Sequence, residues 1–183
     1  MKALKYLLIV VSSVIALGIF ALWYIGVFDQ MELEKRVQPA YVVAGVTFKG
    51  SYQQIGPLMG QVDSSLRSIG INCSKAFGIY FNDPNTTPES ELESYVGSVI
   101  ENGDLERLAD IKSLELQIDT IPEGKSWVVS LPIRNQLSYM IGPVRAYPVL
   151  EKAVTDSADN VALVYEIYDL EASQSNYVML LEQ

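Results

Sequence analysis

The sequence predicts an α+β protein in which two tandem βαββ modules follow an N-terminal transmembrane helix. Three observations support this prediction. An uncharged apolar stretch opens the chain, short motifs recur in the same order in both halves of the remainder, and each half alternates between strand-type and helix-type patterns. Such a chain is expected to form antiparallel strands with the helices on one face of the sheet.

The N-terminal stretch is long enough to cross a membrane. No charged residue occurs from Tyr6 to Phe28, and a helix of about 20 apolar residues spans the hydrocarbon core. Trp23 and Tyr24 lie near its end, where interfacial aromatic residues are expected. The chain therefore divides into a transmembrane anchor (1–28), a linker that could continue the helix for a turn or two (29–38) and one domain (39–183).

The charges around this stretch predict its orientation. Lys2 and Lys5 precede it and favour a cytoplasmic N-terminus, whereas Lys35 and Arg36 beyond it lie among acidic residues. The domain of this single-pass protein is thus expected to be extracytoplasmic, and periplasmic if the source is bacterial. A cleaved signal peptide is the alternative, although its apolar region is usually only about 7–15 residues and no small-x-small cleavage site precedes Asp29.

Composition excludes several classes of function. The chain has 183 residues and a net charge of −9, and after residue 28 there are 11 basic and 22 acidic residues, which gives the domain a charge of −11. Nucleic-acid binding needs Lys and Arg to neutralise phosphates, so no nucleic-acid partner is expected. There is no His and one Cys, Cys73, which excludes an intrachain disulfide and zinc sites built on His or clustered Cys. We expect no metal and no cofactor.

The remainder of the chain contains an internal repeat. Four short motifs recur in the same order with nearly equal offsets, which indicates duplication of a unit of about 60 residues. The matching pairs are 41–44 with 127–130 and 55–57 with 141–143 at an offset of 86, 79–80 with 167–168 at 88, and 95–96 with 177–178 at 82.

The first copy is predicted as strand, helix, strand, strand. Residues 41–48 are β-branched and aromatic, which is typical of a strand. Apolar residues then recur at helical spacing from Ile55 to Ile69, and Gly70 provides a stop signal. Strands over 76–81 and 94–100 follow, separated by a polar loop.

The second copy has the same order of elements. Residues 113–120 and 126–132 are predicted to form a hairpin around the Pro-Glu-Gly sequence at 122–124. A helix over about 134–155 carries apolar residues that include Leu137 and Val144, and Pro148 should kink it. The last predicted strands cover 161–170 and 176–183, and a short helix over 103–111 lies between the copies.

Glu166 is the single charged residue in the otherwise apolar and aromatic segment 161–168. Because strand residues alternate between faces, Glu166 shares its face with Val164 and Tyr168. An isolated buried charge is very costly, so Glu166 either lies in solvent on an edge strand or faces an aromatic cleft that receives a cation. Aromatic rings and a carboxylate together suit an organic cation, because cation–π attraction adds about 0.5–2 kcal/mol per ring.

These residues also carry a resemblance to a family. The segments 48–52 (FKGSY), 78–84 (GIYFNDP), 95–97 (YVG) and 165–168 (YEIY) resemble the ordered motifs of GyrI-like (gyrase-inhibitor-like) small-molecule-binding domains, over about 38–183. The resemblance implies a ligand cleft between two βαββ modules that are related by pseudo-two-fold symmetry. It implies that Glu166, from the E-x-Y motif, pairs with cationic ligands, and that Tyr52 and Tyr80 are the G-x-Y and G-I-Y tyrosines.

The order of an N-terminal anchor and this domain is similar to that of the membrane-tethered animal member of this superfamily, which serves as a receptor for autophagy of the endoplasmic reticulum. That receptor's long acidic tail does not follow here, so this role is not expected. The helix-turn-helix that usually accompanies such domains is also missing, so a transcription regulator of that type is not expected. A protein partner stays open.

Four further aromatic residues are candidates for the cleft. Tyr168 belongs to the E-x-Y motif, and Trp127, Tyr95 and Tyr139 could line the cleft or instead belong to the core or its rim. The predicted ligand-binding set is therefore Glu166, Tyr168, Tyr80, Tyr52, Trp127, Tyr95 and Tyr139, with no catalytic residue assigned.

Three functions remain open. The first is a membrane-anchored, non-catalytic binding module for a hydrophobic or cationic small molecule, which predicts an open cleft with Glu166 exposed at its floor. The second is a hydrolase of small electrophilic compounds in which Glu166 is the general base. The third is a protein-interaction or scaffolding domain, which predicts a cleft that is filled or capped by polar groups.

Overall fold

The computed structural model describes residues 2–182, so Met1 and Gln183, the ends of the predicted anchor and of the last predicted strand, lie outside the described residues. The first helix, α1 (Lys2–Tyr24), is apolar and long enough to cross a membrane, and its side chains from Leu4 to Tyr24 are exposed. Gly26 follows in a left-handed conformation with φ of +82°, which ends the helix. The helix therefore does not continue into 29–38.

An α+β domain follows, as predicted. Its helices are α2 (Ile55–Ser68), preceded by a short 3-10 turn (Tyr52–Gln54), α3 (Leu108–Lys112) and α4 (Ser138–Ser157). Its strands are β1 (Glu32–Gln38), β2 (Tyr41–Lys49), β3 (Lys75–Tyr80), β4 (Glu93–Val99), β5 (Gln117–Ile121), β6 (Gly124–Pro132), β7 (Val161–Asp169) and β8 (Gln174–Leu181).

All eight strands form one antiparallel sheet in the order β1-β6-β8-β7-β3-β4-β2-β5. The order reads the same from both ends if each strand of the first copy is exchanged with its counterpart in the second. The two copies, β2-α2-β3-β4 and β6-α4-β7-β8, meet at the central pair β3–β7. Each copy also has an added outer strand, which comes from the chain just before the other copy.

This exchange of outer strands corrects two predictions. Residues 29–38 were expected as a linker, but β1 lies within them and pairs with β6. Four of its residues are charged, as is common in edge strands, and this hid its strand character. The hairpin of 113–120 with 126–132 is also wrong, because in residues 2–182 β5 pairs with β2 while β6 pairs with β1 and β8.

Proline explains why the hairpin does not form. Pro122 and Glu123 are the connection between β5 and β6. Tight two-residue hairpins need positive φ at their first central residue, whereas the proline ring fixes φ near about −65°. The connection therefore leads β6 away to the far side of the sheet.

The sheet curls on itself around one core. Residues from both of its ends, including Val43 of β2, Ile121 of β5 and Val128 of β6, join the buried cluster beneath Phe77 and Tyr165. The helices lie on the other face: α2 packs on β2 and β4, and α4 packs on β6 and β8. Both helices thus share one face of the sheet, as expected, and the central pair β3–β7 lies between them.

The repeat alignment needs a correction within the strands. An offset of 86 matches Val43 with Val129, but Val43 belongs to the inner core whereas Val129 packs beneath α4. Likewise, Tyr95 lies on the inner face and its proposed match Tyr177 lies on the helix face. A slip of one residue exchanges the faces of a strand, so the motif matches find the modules but not their register.

Candidate functional site

The centre of the helix face is formed by the two middle strands. Gly78 of β3 lies directly opposite Glu166 of β7, and Tyr177 of β8 lies opposite Glu166 on its other side. Because α2 covers β2 and β4 while α4 covers β6 and β8, Glu166 of the central pair β3–β7 faces the gap between the helices. The single charged residue of the segment 161–168 thus lies at the interface of the two modules.

Three tyrosine hydroxyl groups enclose the Glu166 carboxylate. Tyr147 of α4 donates a hydrogen bond to Oε1 at 2.7 Å, and Tyr80 donates one to Oε2 at 3.0 Å. Tyr168 donates a further hydrogen bond to Oε2. Glu166 is 2% exposed, so the carboxylate is closed off from solvent by polar groups and is not exposed at the floor of an open cleft.

The electrostatics of Glu166 follow from this burial. Desolvation raises the pKa of the Glu166 carboxyl above 4.5, and the hydrogen bonds from Tyr168, Tyr147 and Tyr80 oppose that rise because they stabilise the anion. The pKa values of these three hydroxyl groups lie well above 10, first because of burial and then because of the negative charge of Glu166. The tyrosines therefore remain neutral hydrogen-bond donors.

No basic side chain in the described part of the chain forms an ion pair with this carboxylate. Among residues 2–182, none of the ion pairs formed by Lys or Arg includes Glu166. Hydroxyl donors satisfy the carboxylate oxygens, but they do not cancel the charge. Burial of an ionised carboxylate without a counter-charge is unfavourable, and such an arrangement is typical of a functional site.

Three further tyrosines complete the enclosure. Each packs edge-to-face on a neighbouring tyrosine: Tyr52 on Tyr80 with ring centroids 4.9 Å apart, Tyr139 on Tyr168 at 5.3 Å, and Tyr177 on Tyr147 at 6.0 Å. We call Glu166 and these tyrosines the tyrosine cage: Tyr52, Tyr80, Tyr139, Tyr147, Tyr168 and Tyr177. The cage offers one negative charge surrounded by aromatic rings.

Two glycines give the cage its space. A Cβ atom on Gly78 would lie 2.7 Å from the Tyr80 hydroxyl oxygen, so the absence of a side chain at 78 lets Tyr80 reach Glu166. A Cβ atom on Gly142 of α4 would collide with the Tyr177 hydroxyl and lie 2.7 Å from its Cζ. Gly142 thus lets α4 approach β8 closely enough for Tyr147 to reach Glu166.

Loop contacts hold Tyr52 at one side of the cage. Its hydroxyl donates a hydrogen bond to the carbonyl oxygen of Asn82 at 2.9 Å and accepts one from the Asn82 N–H at 3.2 Å. Asn82 in turn accepts a hydrogen bond from the Glu93 N–H through its Oδ1 at 2.8 Å. The NDP loop after β3 therefore positions the tyrosine that precedes α2.

The structure brings together five of the predicted site residues, namely Glu166, Tyr168, Tyr80, Tyr52 and Tyr139. Tyr95 is not among them, because it lies on the inner face against Phe77 and donates a hydrogen bond to the Gln117 carbonyl oxygen at 2.6 Å. Trp127 packs with the core beneath α4 and donates from Nε1 to Asp159 Oδ2 at 2.8 Å. Neither side chain contributes to the cage.

Sequence reasoning missed Tyr147 and Tyr177 as members of the site. Tyr139 and Tyr147 are eight residues apart in α4, which places them about two turns apart on one helix face. This spacing was a usable signal for Tyr147. Tyr177 has no comparable signal, since its position depends on the register of β8 against β7.

Comparison with known proteins identifies the fold and the family. Two structures of EcmrR share the fold, and each match includes 84% of this chain. The match to the C-terminal domain covers 98% of that chain, with 15% identity and a TM-score of 0.55. The match to EcmrR in its complex with DNA covers 58% of that chain, with 14% identity and a TM-score of 0.56. SAV2435 bound to tetraphenylphosphonium matches over 84% of this chain and 94% of that one, with 12% identity and 0.51.

The search of curated proteins found no match. The model of the GyrI-like small molecule binding domain, in contrast, matches residues 31–132, which is more than half of the chain. The match begins beside β1, in agreement with a sheet that starts before residue 39. The chain belongs to the family of GyrI-like small-molecule-binding domains.

Proposed function

We propose that this protein is a membrane-anchored, non-catalytic binding module whose tyrosine cage receives an organic cation with aromatic or apolar substituents. The single observation that carries the proposal is the buried carboxylate of Glu166, which is satisfied by tyrosine hydroxyls and has no basic partner among residues 2–182. A cation would supply the missing counter-charge.

The aromatic surroundings favour an organic cation over an inorganic one. A ring face attracts a cation by about 0.5–2 kcal/mol, and six tyrosines lie around Glu166 in three packed pairs. The groups that offer oxygen ligands are one carboxylate and hydroxyls, and no cluster of three acidic or Cys residues that could hold a metal ion occurs within residues 2–182. A diffuse charge with apolar substituents fits this surface best.

Binding requires the cage to open. The cage is capped by hydroxyl groups, as expected for the scaffolding alternative, so a ligand has to displace at least one of them. Tyr80 and Tyr147 are the candidates, because both are less buried than Glu166 and each holds the carboxylate through one hydrogen bond. A scaffold gains nothing from an uncompensated buried charge, and for this reason we favour binding.

The hydrolase alternative receives less support. Glu166 would be the general base, and the raised pKa of its carboxyl suits that role, because a general acid or base works best with a pKa near the working pH. The reaction also needs a proton donor, and the groups that contact the carboxylate are tyrosine hydroxyls whose pKa values lie well above 10, far from the neutral range. Support for cation binding comes instead from a relative of the same fold, SAV2435, whose structure contains tetraphenylphosphonium, an organic cation.

A matched pair of ligands tests the proposal. Methyltriphenylphosphonium and triphenylphosphine oxide have nearly the same shape, but only the first is charged. We expect the full chain in detergent micelles to bind the cation at least about tenfold more tightly, which is about 1.4 kcal/mol, after subtraction of partitioning into protein-free micelles. Equal affinities measured by calorimetry would favour the scaffolding role instead.

The anchor and its orientation are part of the proposal. The exposed apolar length of α1 supports a membrane anchor. The lysines at positions 2 and 5 support an N-terminus in the cytoplasm, which would place the domain on the other side of the membrane. Hydrogen bonds from Asn135 and Arg145 to carbonyl oxygens of residues 24–29 support an anchor that is retained.

Protease accessibility tests this orientation. If the protein is produced in a bacterium and the outer membrane is removed, added protease is expected to digest the domain in intact spheroplasts. A cytoplasmic marker protein should stay intact in the same sample. Digestion of the domain only after lysis would reverse the orientation, and release of the domain into the periplasmic fraction would show that the N-terminal segment is cleaved.

A further inference from the structure

The first half of α4 presents an apolar surface to solvent. Leu137, Met140 and Val144 are 44%, 65% and 73% exposed and recur at helical spacing, and Pro148 continues the same exposed face. Nearby Phe28, just after α1, is also exposed. We call Leu137, Met140, Val144 and Phe28 the apolar ridge. Contiguous exposed apolar residues of this kind mark an interaction surface.

The character of α4 changes along its length. After Pro148 the exposed positions of α4 are all polar, namely Glu151, Lys152, Thr155, Asp156 and Ser157, and Lys152 pairs with Asp156 at 2.7 Å. The second half of the helix therefore has an ordinary solvated surface. The apolar half is confined to the end that begins at Ser138.

This apolar end lies where α1 leaves the domain. Asn135 Nδ2 donates a hydrogen bond to the Tyr24 carbonyl oxygen at 2.8 Å. Arg145 donates from Nη1 to the Gly26 carbonyl oxygen at 2.6 Å and from Nη2 to that of Asp29 at 2.5 Å. The side chain of Asp29 forms an ion pair with Arg134.

These contacts fix the end of α1 on the domain. The guanidinium of Arg134 also lies 5.6 Å from the Trp23 ring centroid, a residue of the kind found at membrane interfaces. The segment 25–29 is therefore a docked turn and not a free tether. Any membrane that α1 crosses must lie against the same end of α4.

We propose that the apolar ridge is inserted in the interfacial layer of the lipid bilayer that α1 crosses. This inference rests on the proposed membrane anchor. Amphipathic helical surfaces insert their apolar side chains about 5–10 Å into the boundary between headgroups and acyl chains. Arg134, close to the ridge, is partly exposed and would lie at headgroup level.

The position of the apolar ridge defines the side from which a ligand dissolved in the membrane can reach the tyrosine cage. Tyr139 belongs to the same turn of α4 as Met140, and its ring packs on Tyr168, which holds Glu166. One side of the cage thus faces the bilayer. Ligands that reach the cage from this side are lipophilic cations already dissolved in the membrane interface.

Depth-dependent fluorescence quenching tests the ridge. The full chain, with Cys73→Ala, is labelled with an environment-sensitive fluorophore at Met140→Cys or Val144→Cys and reconstituted in phosphatidylcholine vesicles. The control site is Lys152→Cys, which is 74% exposed on the same helix and about 18 Å further along it. Lipids with a nitroxide near the headgroup end of the acyl chain are expected to reduce the fluorescence at 140 and 144 about twofold or more, and that at 152 only slightly.

The outcomes separate this inference from cation binding. Quenching at 140 and 144 that does not exceed quenching at 152 overturns the ridge, whatever the ligand affinity. A blue shift without lipid quenching that grows with the ratio of protein to lipid assigns the surface to a second copy of the chain and also overturns it. Calorimetry with methyltriphenylphosphonium on the same labelled chains in micelles reports separately on the cage.

Discussion

Replacement of Glu166 with glutamine is expected to weaken binding of methyltriphenylphosphonium by about 30-fold or more, which is about 2 kcal/mol. The substitution removes the charge and keeps the size of the side chain. One carboxylate oxygen becomes an amide nitrogen that only donates, so the tyrosine hydroxyl at that position must turn to accept its hydrogen bond. Affinity for triphenylphosphine oxide should change little, because the aromatic surface is intact. Isothermal titration calorimetry of both variants with both ligands measures the difference.

The pH dependence of binding has a definite sign. Burial raises the pKa of Glu166 above 4.5, so the carboxylate becomes protonated as the pH falls through this raised value, and cation binding weakens there. The stability of the unliganded protein has the opposite trend. A raised pKa in the folded state contributes stability that is present below about 4.5 and is lost as the pH rises through the folded-state pKa.

Tyr147→Phe is the matched control for Glu166→Gln. It removes one hydroxyl donor from Oε1 of Glu166 and leaves both the charge and the ring in place. The cation then has one hydrogen bond fewer to displace, so its affinity should be maintained or increased. An equal loss of cation affinity in both variants would mean that Glu166 acts through the packing of the cage and not through its charge.

Gly142→Ala is expected to destabilise the protein by about 2 kcal/mol through overpacking. The added Cβ atom would collide with the Tyr177 hydroxyl, so α4 has to move away from β8. Such a shift also carries Tyr147 away from Glu166. Urea denaturation of the full chain in micelles, followed by near-ultraviolet circular dichroism, measures the loss.

Two further variants make this prediction specific. Gly60 is an exposed glycine inside α2, and a Cβ atom there meets nothing within 4 Å, so Gly60→Ala should raise stability by about 0.5–1 kcal/mol. Tyr177→Phe removes a buried hydroxyl without a hydrogen-bond partner. Combined with Gly142→Ala it should recover about 1 kcal/mol, and strictly additive effects would contradict the collision.

The local elements of the fold could be predicted because their periods are unambiguous. The apolar residues of α2 recur at helical spacing, and its buried residues are Ile55, Val62 and Leu66, as expected. The pairing of the outer strands β1 and β5 could not be predicted in the same way, although the strand character of β5 could. The pairing of β1 with β6 joins residues about a hundred positions apart, and no local pattern specifies such a partner.

The site was predictable only in part for related reasons. Glu166 is conspicuous because it is the single charge among apolar and aromatic neighbours. Tyr95 lies outside the cage because a change of one residue in register exchanges the faces of a strand. Trp127 is on the helix face, but it packs beneath α4 and its Nε1 bonds to Asp159. The contact of Tyr147 with Glu166 depends on how α4 crosses the sheet, and Gly142, which permits that crossing, has no distinguishing sequence signal.

A crystal structure of the full chain with methyltriphenylphosphonium would show directly whether Glu166 receives the cation. We expect the phosphorus atom to lie within about 6 Å of the Glu166 carboxylate and of a tyrosine ring. We also expect the hydroxyl of Tyr80 or Tyr147 to have turned away from Glu166. A cation bound elsewhere, with all three hydroxyl groups still on the carboxylate, would contradict the claim.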